Sequence, residues 1–283
     1  MKGVWSVTLA VWRIMGERRL GLLAAGVAFF AMLALFPALA ALIGIFGFLA
    51  DPAVVEEALE LGSEFLPEEA LQLIEAQIAD LLDTASPALG LTSAISLLMA
   101  AWWARLGVDA LVQGLTAIYG GSPRGGIRST VTAIALTVIL IGVGVTALAA
   151  MLVIPIFLAI FSPFIPVGSW VPFLAETLRW GISITVLVVG LGIFYRYGPN
   201  RPESARSPFL SAGLLLALAL WSAASLGFTL YLSYFDTYNE IYGSIGAAIV
   251  LMLWFYISAY AVLMGGALNF ILEETRIPAG RES

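Results

Sequence analysis

Apolar positions gather into long runs along this chain, and polar ones into short intervals between them. Six runs stand out: Leu20 to Phe48, Leu89 to Trp103, Ile127 to Ile160, Thr177 to Phe194, Phe209 to Leu232, and Ser244 to Leu272. Most reach the roughly 20 residues that carry a helix across about 30 Å of hydrocarbon. Only helices or closed barrels satisfy the backbone at that depth, and the alternating pattern of barrel strands is absent. The pattern therefore predicts an all-α fold, a polytopic membrane helical bundle with about six transmembrane helices.

Smaller signals punctuate the runs. The second is the shortest, and the Ser86–Pro87 pair suits its start as N-cap and first helical residue. Past Trp103, the residues Val108, Leu111, Val112, Leu115 and Ile118 recur at helical spacing, so an amphipathic extension is expected there until Gly120 to Gly126 ends it. Pro37 and Pro155 fall inside the first and third runs, where a proline frees a carbonyl and kinks a helix. Pro163, Pro166 and Pro172 make Phe161 to Pro172 read as an irregular interfacial loop, with Trp170 as an anchor. The first run greatly exceeds the about 7–15-residue apolar core of a cleaved signal segment and is expected to be a retained helix.

Composition agrees. The 283 residues are 61% hydrophobic and 11% charged, with a mean hydropathy of +0.99. Soluble domains are about 45–50% apolar and about 25% charged, so lipid must solvate much of this surface. The chain reads as a single membrane domain over residues 1–283. A formal charge of -6 argues against nucleic acid as a partner. There is no cysteine and no histidine, which removes thiolate and imidazole metal ligands, the cysteine nucleophile and the usual general base. No catalytic residue, no metal and no cofactor is expected.

Charge supplies an orientation. Lys2, Arg13, Arg18 and Arg19 precede the first run, and Arg105, Arg124 and Arg128 lie between the second and third. Arg196, Arg201 and Arg206 lie between the fourth and fifth, and Arg276 and Arg281 follow the sixth. The positive-inside rule makes that side cytoplasmic, with both termini on it, and leaves Arg179 as the exception. The interval after the first run has the opposite character. Residues 51–83 hold ten carboxylates (Asp51, Glu56, Glu57, Glu60, Glu64, Glu68, Glu69, Glu75, Asp80 and Asp83) and no basic residue. Leu71, Ile74, Ile78, Leu81 and Leu82 form an apolar stripe, so residues 51–86 are expected to form a small extracytoplasmic helical insertion. It reads as a cap over the bundle or as a partner- or cation-binding surface, without calcium-loop spacing.

Several groups are candidates for a substrate pathway. Arg105 and Asp109 share a helix face, four residues apart, and can pair there or serve function. Glu176 and Arg179 can pair at the outer end of the fourth run. Asp236, Tyr238, Asn239 and Tyr242 belong to a polar, aromatic turn before the sixth run, where they suit an interfacial belt or an outer gate. Gly265, Gly266 and Asn269 suit close helix packing with an Asn hydrogen bond across helices.

Four segments carry a resemblance: Leu23 to Leu39 with its Phe36–Pro37 pair, Ala101 to Tyr119 (AWWARLGVDALVQGLTAIY), Tyr195 to Arg201 (YRYGPNR), and Tyr231 to Glu274. The last holds a Tyr-Asn-x-x-Tyr-Gly element and a Gly-Ala-x-Asn ending. Together they resemble the YihY/virulence factor BrkB family of inner-membrane proteins, also called UPF0761-like. The resemblance implies six spans with cytoplasmic ends. Some members are labelled ribonuclease BN, a label that a chain without histidine and with its carboxylates outside does not support. Links of other members to lipid traffic favour transport. The expected function is thus a transporter or exporter of lipid-like or amphiphilic anionic molecules in the inner membrane. The alternative is an assembly or structural factor docking partners through the acidic outer helices. Membrane lipids are the expected partners, with a second copy of the chain or an envelope protein as protein partners.

Overall fold

A computed structural model describes residues 4–49, 87–122, 124–161, 170–202, 207–233 and 236–275. Every regular element among them is an α-helix: α1 (Val4–Glu17), α2 (Leu20–Leu49), α3 (Pro87–Ile118), α4 (Gly126–Phe161), α5 (Val171–Tyr197), α6 (Ala212–Ser233) and α7 (Asp236–Glu274). Six of them, α2 to α7, are long and apolar enough to cross a membrane. The chain is a multi-pass α-helical membrane protein. The acidic insertion of residues 51–86 lies outside the described residues.

The boundaries refine the sequence pattern. Pro87 does open α3, but that helix runs on without a break to Ile118. Its expected amphipathic extension is a core element instead: Val108, Val112, Leu115 and Ile118 are all buried. Residue 172 belongs to the first turn of α5 rather than to a loop, since a proline needs no backbone donor there. The expected turn at Asp236 to Tyr242 is replaced by the opening turns of α7. Helix α1 was not anticipated at all.

The chain divides into two compact units, residues 1–30 with 105–283, and residues 31–104. In the smaller unit the faces of α2 and α3 are largely apolar and exposed, with Phe36, Leu39, Leu91, Leu98 and Trp102 outward and Met32, Ala41, Ser93 and Ala100 buried. In the larger unit a single buried cluster joins α1, the start of α2, the end of α3 and α4 to α7. Its largest wholly buried side chains are Tyr195, Phe194, Leu20, Leu115, Ile118, Leu214 and Leu263. Several threonine hydroxyls turn back on their own helices. Thr116, Thr137, Thr146 and Thr229 each donate to the carbonyl four residues back, which hides a donor from lipid.

Among the described residues, α6 and α7 share the most extensive helix–helix contact. Lipid tails are as apolar as leucine, so what holds two helices together here is close packing and polar contact. Gly213 and Gly265 face each other backbone to backbone, each occupying the space that a Cβ on the other would need. The same approach buries the start of α6, whose first amides need acceptors. Ser211 Oγ accepts from the Leu214 amide at 3.2 Å, and Asn269 Oδ1 on α7 accepts from the Gly213 amide at 2.8 Å. Asn269 Nδ2 then donates to Ser211 Oγ at 2.9 Å, closing the ring. Deeper in, Trp221 and Trp254 meet edge to face, and Tyr195 on α5 donates to the Val262 carbonyl of α7 at 2.6 Å. This places Gly265 and Asn269 in the packing role their sequence context suggested.

Asn269→Leu keeps the volume but orphans the Gly213 amide, and should lower stability by about 1–3 kcal/mol. Gly213→Leu should do more damage, because its Cβ would lie 2.6 Å from Asn269 Oδ1 and would also strike the Gly265 carbonyl. Thermal melting of purified protein in detergent checks both, and a melting point unchanged by either would contradict this account of the crossing.

Candidate functional site at the basic end of the bundle

The ends of α3, α5 and α7 meet at the end of the larger unit that carries Arg124, Arg196 and Arg201. Helix α5 stops at Tyr197, and its last carbonyls have no partner within the helix. Arg124, from the segment before α4, supplies one. Its guanidinium donates to the carbonyls of Tyr197 at 3.1 Å, Gly198 at 2.6 Å and Pro199 at 2.9 Å. A cation at this position also suits the negative end of the helix dipole. Asn200 then ties the loop to the turn after α3. Its amide donates to Thr116 Oγ1 at 3.2 Å and its Nδ2 to the Ser122 carbonyl at 3.0 Å. That turn depends on Gly120, whose φ of 67° lies in the left-handed region that glycine adopts without strain.

Arg201 completes the arrangement. Its side chain is only 7% exposed and forms a forked pair with Glu273 near the end of α7, at 2.6 Å from Nη1 and 3.4 Å from Nη2. Nη2 also donates to Ser207 Oγ at 2.6 Å, and that hydroxyl donates to Glu273 Oε1 at 2.6 Å. The guanidinium carbon sits 3.9 Å from the centroid of the Tyr119 ring, within cation–π range. Tyr119 Oη lies 3.4 Å from Ser207 Oγ, and its ring meets Phe270 edge to face. Burial raises the Tyr119 hydroxyl above its ordinary pKa, against the pull of Ser207 and Arg201, so it stays neutral. Arg196 donates to the Ser207 carbonyl at 3.3 Å and lies over the Phe209 ring. One cation and one carboxylate thus join the end of α3, the loop after α5, the approach to α6 and the end of α7.

The residues singled out from sequence fall elsewhere. Glu176 and Arg179 do pair, at 2.6 Å, near the other end of α5. Trp180 Nε1 donates to the same carboxylate oxygen at 2.7 Å, and Arg179 lies 5.9 Å from the Trp180 ring centroid. Asp109 departs from the expected pairing with Arg105: it accepts from Gln113 at 2.7 Å and from Ser129 on α4 at 3.4 Å. Arg105 is half-buried in α3. Pro37 lies within α2 in the smaller unit, and α4 remains helical through position 155. The side chains of Asp236, Tyr238, Asn239 and Tyr242 lie outside the described residues. No group of three carboxylates able to hold a metal occurs among the described residues. Sequence spacing offers no partner for Arg201 at the end of the YRYGPNR segment.

Comparison with known proteins places the sequence in a family. The family model described as virulence factor BrkB matches residues 11–283. The chain belongs to the virulence factor BrkB family. The ribonuclease-like protein YfkH of Bacillus subtilis (strain 168) is 31% identical over 257 residues, covering 89% of this chain and 90% of that protein. A UPF0761 membrane protein of Idiomarina loihiensis is 32% identical over 98 residues, 35% of this chain and 34% of the relative. A UPF0761 membrane protein of Xanthomonas campestris pv. campestris (strain B100) is 34% identical over 123 residues, 41% of this chain and 28% of the relative. The chain therefore spans only about a third of the length of these two relatives. No solved structure matches.

In this BrkB-family chain, Glu273→Leu leaves a largely buried guanidinium without its carboxylate. Breaking a buried pair costs about 3–5 kcal/mol, and partial exposure of Glu273 should reduce this to roughly 1–3 kcal/mol. Arg201→Met combined with Glu273→Leu should recover a good part of that loss, because neither charge is then stranded. A double-mutant cycle on thermal stability reads the coupling, and strictly additive effects would show that the pair is not coupled.

Proposed function

We propose that this chain is a transporter or exporter in the inner membrane for lipid-like or amphiphilic anionic molecules. The observation that supports the reading is a shallow, open apolar groove of about 300 Å³ on the exposed face of α3, lined by Ile95, Leu98, Met99, Trp102 and Trp103. Such an apolar face suits contact with an acyl chain or a comparable hydrocarbon. No Walker motif occurs in the sequence, and ionisable residues are scarce at membrane depth, so movement without ATP hydrolysis or a proton relay within this chain fits best.

The ribonuclease-like name of the Bacillus relative is not extended to this chain. A metal-dependent nuclease gathers several carboxylates or imidazoles around its ions. This chain has no histidine, and Glu17, Asp109, Glu176 and Glu273 each accept from a neighbouring side chain.

Proteoliposomes with fluorescent phosphatidylglycerol or phosphatidylcholine test the proposal. Accelerated movement between leaflets, reduced severalfold by Trp102→Ala with Trp103→Ala, is expected. Folded protein that moves no lipid and exports no amphiphilic anion would sink the reading. The basic side is proposed to be cytoplasmic. With no native cysteine, Ser122→Cys should react with an impermeant maleimide only after cells are opened, and Trp170→Cys should react in intact cells. The reverse pattern would invert the topology.

A further inference from the structure

Helix α1 has two apolar faces, and the bundle uses only one. Val11 and Met15 are buried and Val7, Ala10 and Ile14 partly so, in the same cluster as Ala267 and Ile271 near the end of α7. On another face, Trp5, Leu9 and Trp12 follow one another at i, i+4 and i+7 and are 75%, 53% and 67% exposed. Arg13 and Glu17 flank this stripe and pair with each other at 2.6 Å on an exposed surface. Arg18 and Arg19, both exposed, separate α1 from α2. Arg19 has a φ of 50°, a left-handed step that ends one helix before the next begins.

Position limits what can cover the stripe. Leu20 opens the first membrane-crossing segment, so the last turn of α1 stands at the membrane edge. The apolar surface also continues beyond the break, with Leu22 and Phe29 exposed on α2. Indole suits that depth, because its body is apolar and its N–H can reach water or a headgroup. The flanking charge is mainly basic, which favours anionic lipid.

We infer that α1 lies in the plane of the membrane on the basic side, with Trp5, Leu9 and Trp12 seated at the boundary between headgroups and acyl chains, and with Arg13, Arg18 and Arg19 against anionic headgroups. This is an amphipathic anchor whose inner face grips the protein and whose outer face grips lipid. It makes the composition of one leaflet part of the environment of the α1–α7 contact.

Spin labels on Leu9→Cys and Glu17→Cys of the full chain test this in nanodiscs of phosphatidylcholine, alone or mixed with phosphatidylglycerol. The label at position 9 should collide more with dissolved oxygen than with a water-soluble nickel chelate, and the label at position 17 should show the reverse. A label at position 9 as accessible to nickel as that at position 17 would overturn the inference. So would spin–spin broadening at position 9, which would mark a second copy on the stripe. If Leu9→Cys does not fold, phosphatidylcholine brominated near the headgroup offers another measurement. It should quench a fraction of the tryptophan emission that disappears in Trp5→Phe with Trp12→Phe, and equal fractional quenching in both proteins would count against the anchor. Arg18→Gln with Arg19→Gln should reduce the preference for phosphatidylglycerol by roughly fivefold per charge removed. An unchanged preference would overturn the charge contacts.

Discussion

Hydrocarbon gives helices no hydrophobic reason to associate, so the pairing of α6 with α7 has to come from shape and from polar groups that lipid cannot satisfy. Two glycines allow the backbones to meet, and that approach buries the start of α6. Once buried, the α6 amides need acceptors, and Ser211 and Asn269 supply them. The polar ring and the close approach require each other. Without the glycines Asn269 could not reach, and without Asn269 the approach would strand a donor away from water. Tyr195 and the buried cluster of the larger unit are then assembled against this pair.

The basic end is organised by the same need at a different depth. Helices that stop near an interface leave carbonyls unpaired, and here a neighbouring arginine takes the last carbonyl of α5 and the two that follow it. A second arginine is held among Glu273, Ser207 and Tyr119, so that no charge in this forked pair is left to a low-dielectric surrounding. Arginine suits both places because its planar fork can serve several acceptors at once, which a lysine ammonium serves less well. The single lysine of the chain, Lys2, is far from either position in sequence.

Much of the architecture was legible in the sequence, because a run of about 20 apolar residues has few physical fates. The six crossings, Pro87 at a helix start, the Asn269 contact and the Glu176–Arg179 pair all follow from spacing along one helix or from a polar residue in an apolar run. What the sequence hid was long-range. Arg201 meets Glu273 across 72 positions, and no periodicity links them. Asp109 shares a helix face with Arg105, while neutral donors on its own helix and on α4 bond to it. Helix α1 escaped notice because its apolar positions fall on two stripes, which blurs the pattern that marks a one-sided helix. The opening of α7 read as a turn because Asp236, Asn239 and two glycines favour turns locally, a preference that the long helix overrides.

The ring at the start of α6 also bears on how the chain is made. Gly213 leaves the ribosome 56 residues before Asn269, the side chain that accepts from its amide. Until α7 is in place, the Gly213 amide lacks that acceptor, and water near the headgroup region is its alternative partner. Helices α6 and α7 therefore complete each other's polar contacts as a pair, and the second arm finishes what the first leaves open.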